Sequence, residues 1–125
     1  MELRLGRGRS IQETVKRLAP RVRGWVSYYR LCDVKAAFER LDGWLRRRIR
    51  ALFWRHWKSP RNRARQLLRR GLERERAFRS ANNGKGPWWN AGASHMNQAI
   101  PTREMRDLGL VSFLEEFQRL KSSAG

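Results

Sequence analysis

Three observations predict an all-α fold: a basic helical bundle with a long central helix and a C-terminal helical extension packed against it. Apolar residues recur at three- and four-residue spacing through most of the chain. No segment shows the strict alternation of a half-buried strand. Helix-start and helix-stop residues punctuate the sequence throughout. Residues 1–125 are expected to form a single domain, with residues 10–81 as the bundle and 82–125 as a turn-rich connector followed by short helices.

Ser10-Ile11-Gln12-Glu13 has the form of a capping box and opens the first helix, in which Ile11, Val15 and Leu18 share a face. Pro20 is expected to begin a second helix carrying Val22, Trp25, Val26 and Tyr29. Asp33 is suited to cap the next and longest helix, which runs to about Lys58. Its predicted core stripe is Val34, Phe38, Leu41, Leu45, Ile49, Leu52 and His56, and its opposite face collects Arg40, Arg47, Arg50, Trp54, Trp57 and Lys58. Ser59-Pro60 ends it. A further helix follows over 61–70, with Ala64, Leu67 and Leu68 inward and Gly71 closing it. Residues 73–81 form a weaker helix, and Asn82-Asn83-Gly84-Lys85-Gly86-Pro87 a turn-rich connector. Short helices are predicted at 93–99, 102–108 and 112–120, the last behind a capping box at Ser112-Phe113-Leu114-Glu115.

The charge narrows the partners. Lys and Arg number 29 against 11 Asp and Glu, a formal net charge of +18, and self-repulsion of that size suits a polyanionic partner. The surplus is mostly arginine, whose planar fork fits phosphate and whose flat face stacks on bases. A 40% hydrophobic content with six Trp supports a folded core despite a mean hydropathy of -0.80. Cys32 is the one cysteine, so no internal disulfide and no cysteine-based zinc site is expected, and a reducing cytoplasmic setting fits. No apolar run reaches membrane-spanning length.

Catalysis is poorly provided for. The aspartates Asp33, Asp42 and Asp107 are too scattered to hold two metals, so neither a metal site nor a cofactor is expected in this chain. Asp42 reads as a helix ion pair with Arg46. His95, near Asn97, is a remote general-base candidate. Binding has better support in the run from Leu45 to Arg70, where Arg46, Arg47, Arg50, Arg55, Lys58, Arg61, Arg63, Arg65, Arg69 and Arg70 surround Trp54 and Trp57, a mixture suited to phosphates and exposed bases. Trp88 and Trp89 fall in the cation-free stretch Gly86–Pro101, with small residues and Asn90 and Asn97 beside them. They are expected to anchor the C-terminal part on the basic bundle.

Several blocks together resemble the maturase-specific domain of group II intron reverse transcriptases, also called domain X or the thumb: RGWVSYYR (23–30), Phe38, LDGWLRRRIRALFWRHWKSPRNRARQLL (41–68) and GPWW (86–89). The resemblance spans roughly residues 10–120. It implies an α-helical bundle that grips an RNA or RNA–DNA template-primer duplex and binds group II intron RNA to aid splicing. The polymerase finger and palm would be supplied in cis or in trans. By position, it places the family's basic surface on Arg46, Arg47, Arg50, Arg55, Lys58, Arg61, Arg63 and Arg65, and puts Trp25, Tyr28 and Tyr29 on a packing helix; Phe38 and Leu45, on the predicted core stripe, are expected to be structural. The palm's Tyr-x-Asp-Asp motif is absent from the chain, which implies an excised or split thumb, with Mg expected only in an associated polymerase domain. The alternative is a basic helical RNA- or DNA-binding scaffold unrelated to introns.

Overall fold

A computed structural model describes residues 10–29 and 34–124. Among them the chain forms eight helices and no strand: α1 (Ile11–Tyr29), α2 (Lys35–His56), α3 (Pro60–Arg69), α4 (Arg74–Ala81), α5 (Pro87–Gly92), α6 (Ser94–Ala99), α7 (Thr102–Asp107) and α8 (Phe113–Ala124). The fold is all-α, as the periodicity predicts. Pro20 does not start a second helix. It lies inside a continuous α1, on an exposed face, where the loss of one backbone bond did not break the helix. Asp33 and Cys32 lie outside the described residues.

The helices group into two compact units, one from residues 1–46 and 106–125 and the other from 47–105. This division differs from the expected boundary at the 82–87 connector, which falls inside the second unit. In the first unit, α1 packs on α8. Val15, Leu18, Val22 and Val26 line the buried side of α1. Phe38 stacks on Phe113 with ring centres 5.8 Å apart and meets Phe117 edge-on at 5.3 Å. Asp42 is not a simple ion-pair partner of Arg46. It is buried and caps α8, accepting from the Phe113 and Leu114 amides at 2.7 and 3.1 Å and from the Ser112 hydroxyl at 2.6 Å. A carboxylate held there satisfies orphan N–H groups and complements the helix dipole. The Ser10 and Ser112 hydroxyls accept from the amides of Glu13 and Glu115, as both capping boxes require.

In the second unit, α3 and α4 form the main helical pair. Ser59 caps α3 through the Asn62 amide, with Pro60 at its first position. At the other end Gly71 takes φ +95°, which places the Leu72 amide on Leu67 O and the Gly71 amide on Leu68 O. That is the Schellman arrangement, for which glycine pays no Cβ penalty. Ala64 and Leu67 are buried, whereas Leu68, expected inward, is exposed. Helix α5 was not foreseen. Gly86-Pro87 reads as a turn, but here Gly86 is the N-cap and Pro87 the first helical residue.

Candidate nucleic-acid interface

From Ile49 to Trp54 every residue of α2 is buried. That part of the helix is covered all round and has no solvent face of the kind the two-sided wheel assigns to it. The tryptophans and several arginines of the predicted interface are therefore structural. Trp54 is 1% exposed and Trp57 is 7% exposed, with their rings 6.2 Å apart, so neither presents a face to a base. Arg50 is also buried and donates through Nε to the Ile100 carbonyl at 2.8 Å. It serves the interior, not a phosphate.

Other arginines roof the aromatic core. Arg63 lies over the Trp54 ring at 4.8 Å and donates to the Trp54 carbonyl at 3.0 Å, and partial burial lowers its pKa from the ordinary arginine value. Asn62 donates to the Trp57 carbonyl at 3.0 Å. Together they cap the C-terminal carbonyls of α2, which helix geometry leaves without partners. Between the helices Lys58 takes φ +62°, a left-handed conformation rare for a side chain of its size. Arg70 lies over Phe53 at 5.4 Å and Trp57 at 5.8 Å and pairs with Glu104.

Arg47 explains the neutral aromatic segment. Its Nε and one terminal nitrogen fork onto the Trp88 carbonyl at 3.0 and 2.8 Å, and its guanidinium lies 4.2 Å over the Trp88 ring. A Cβ at Gly92 would come within 2.8 Å of that guanidinium, so only glycine leaves the clamp undisturbed. Trp88 and Trp89 themselves are 40% and 50% exposed. The two rings expected to anchor the segment on the bundle are thus half-open, Trp88 meeting α2 through Arg47, and the buried residues of the segment are Asn90, Ala91, His95, Met96, Ala99 and Ile100. His95 Nε2 lies 2.9 Å from Asn90 Oδ1, which also accepts from Asn83. Burial, and secondarily Arg76, lower the His95 pKa. The imidazole is a hydrogen-bonded core element.

The cations that remain for a ligand form two rows. Arg61, Arg65 and Arg69 follow one another at four-residue spacing on the exposed side of α3, and Arg55 is exposed on the last turn of α2 with Lys58 in the turn between. Arg48, which sequence reasoning missed, lies seven residues before Arg55 on the same face; its signal was that spacing. None of these six makes a side-chain hydrogen bond or ion pair among the described residues. Arg40 is exposed and Arg46 half-buried on the part of α2 that belongs to the first unit. In that unit the aromatic residues expected to pack are open: Trp25 is 47% exposed, Tyr28 is 80% and Tyr29 is 36%, while Phe38 and Leu45 are buried. His56, placed on the core stripe by the wheel, is exposed.

A family model, the maturase-specific domain of group II introns, matches residues 2–71. The chain belongs to that family. Both cation rows lie within the matched stretch, and residues 86–89 lie beyond it. No curated protein matches the chain. Among the described residues no helix is long and apolar enough to cross a membrane, and no group of three or more metal-ligating side chains occurs.

Proposed function

We propose that this maturase-family domain is an RNA-binding module that holds the phosphates of group II intron RNA on α3 and the end of α2, assisting its folding and splicing. The observation that carries the reading is the Arg61–Arg65–Arg69 row. Like charges at this spacing destabilise an isolated helix by about 0.2–0.5 kcal/mol per pair. Arg61 also sits in the first turn of α3, which holds no acidic residue, against the preference of a helix N-terminus for negative charge. Such local conflict is relieved when a polyanion neutralises the row. The same surface suits an RNA or RNA–DNA template-primer duplex, gripped alongside a polymerase finger and palm supplied in cis or in trans in the cytosol. The chemistry and its Mg would belong to that palm, and this chain's contribution would be positional.

Salt dependence tests the proposal. Six phosphate contacts give log K against log salt a slope of roughly -4 to -5. Replacing Arg61, Arg65 and Arg69 together by Gln should reduce its magnitude by about 2–3 without lowering the melting temperature. A wild-type slope near zero, or a triple variant with the wild-type slope, would refute it.

A further inference from the structure

Trp25, Leu41, Trp44 and Phe113 line an open cleft of about 400 Å³ in the first unit, within the size range of small-ligand sites. Trp44 is 40% exposed, and with Trp25 it leaves a large part of each indole uncovered, while Phe113 at the floor is fully buried. The walls carry no charged side chain, but the helical neighbours of both indoles do. Arg21 lies one turn before Trp25 on α1 and Arg40 one turn before Trp44 on α2, both exposed. Tyr29, one turn after Trp25, extends the aromatic surface, with its ring 5.9 Å from Trp25 and 4.8 Å from Tyr28. The nearby acidic groups are engaged or turned away. Asp42 caps α8, Glu116 pairs with Arg119, Glu115 pairs with Arg106, and Glu39 falls about 140° from Trp44 around α2.

We propose that this cleft binds an unpaired nucleobase, stacked on Trp25 and Trp44, with the flanking phosphates held by Arg21 and Arg40. The charge complementarity selects this occupant: an aromatic slot with cations one helical turn away on both walls matches a flat base carried on an anionic backbone. The only side-chain polar groups in the walls are the two indole N–H donors, too few to read a base edge, so recognition is by stacking, tolerates sequence and follows stacking strength. The site is built from other residues than the α3 row and goes beyond phosphate neutralisation, although it rests on the reading that the partner is nucleic acid.

The test compares binding of a single-stranded oligoadenylate with that of an abasic oligomer of equal length and charge. The wild-type chain should prefer the base-bearing strand. Trp25→Ala and Trp44→Ala should each weaken binding of that strand by about 5- to 150-fold, the range for loss of one stacked base, and leave the abasic strand nearly unaffected. Trp25→Phe and Trp44→Phe retain an aromatic face and should recover most of the loss, which separates stacking from misfolding. Equal wild-type affinity for the two strands, or equal losses on both, would overturn the proposal and leave the cleft to a protein side chain. Failure of the phosphate reading would instead appear as salt-independent binding of both strands, and binding of neither strand would overturn both.

Discussion

Residues 47–105 and the unit formed by 1–46 with 106–125 use the same residue types in opposite ways. In the former, Trp54 and Trp57 are interior and arginine covers them, Arg63 over Trp54 and Arg70 over Trp57, while the half-exposed Trp88 is held from one side by Arg47. In the latter, Trp25 and Trp44 open onto solvent, and the cations of their helices stand beside them. An arginine held by a carbonyl or a carboxylate builds the scaffold, whereas the arginines proposed to face a ligand make no such bond among the described residues. Composition counts the two alike, and only partners distant in sequence separate them.

The sharpest way to break the comparison is through its tryptophans. Trp54→Ala removes a fully buried indole and should cost about 3–5 kcal/mol in denaturant or thermal unfolding. Trp88→Ala removes a half-exposed ring and one cation–π contact, and should cost about 1 kcal/mol. Trp54→Phe sharpens the point. The Trp54 indole N–H is buried without an acceptor among the described residues, so phenylalanine leaves a small cavity yet relieves an unmet donor. Its loss should be well under that of alanine. Equal costs for Trp54→Ala and Trp88→Ala would dissolve the distinction between interior and surface tryptophan.

The arginines should divide next, with smaller effects. Arg50→Ala strands the Ile100 carbonyl and deletes a charge-assisted bond, an expected loss of about 1.5–3 kcal/mol, with the salt slope of RNA binding unchanged. Arg65→Ala should change stability by less than about 0.5 kcal/mol and lower the magnitude of the slope by about 0.7–0.9. If the two variants exchanged behaviour, the assignment of structural and ligand-facing arginines would be inverted.

What the sequence made legible was local. The serine caps at Ser10 and Ser112, the Ser59-Pro60 start and the Gly71 stop depend on residues within about one turn of each other, and the structure forms each of them. What it hid was tertiary. Arg47 meets Trp88 across 41 residues, Arg50 meets Ile100 across 50, and Asp42 meets Phe113 across 71. A wheel drawn for α2 alone assigns Arg50, Trp54 and Trp57 to a second face, because nothing in α2 reveals the distant segments that cover it. The same blindness placed Trp25 and Tyr29 inside, where their helical phase at the margin of the α1 stripe allowed either outcome.

The smallest effect expected is a pH dependence that belongs to residues 47–105. Asn90 donates to the carbonyls of Lys85 and Gly86 at 3.0 Å each, which orients its Oδ1 toward His95, so the hydrogen between them is carried by His95 Nε2. The ring is buried between Trp54 and Trp89, with centre separations of 5.5 and 6.4 Å. Burial first, and the Arg76 charge second, hold its pKa below the usual histidine value of 6.5. The unfolded chain therefore takes up a proton near that value, while the folded chain takes one up only at lower pH. Below about pH 6.5 the unfolded state binds more protons, so stability is fully present above that pH and declines as pH falls. The lowered pKa of Glu116, set chiefly by its bond from Arg119, acts in the same direction but below its ordinary value of 4.5, outside this window. Melting temperatures measured between pH 7.5 and 5.5 should fall for the wild-type chain and change much less for His95→Gln. A wild-type profile as flat as that of His95→Gln would show that the ring is not held neutral, and would remove His95 from the interior network that sets this unit apart.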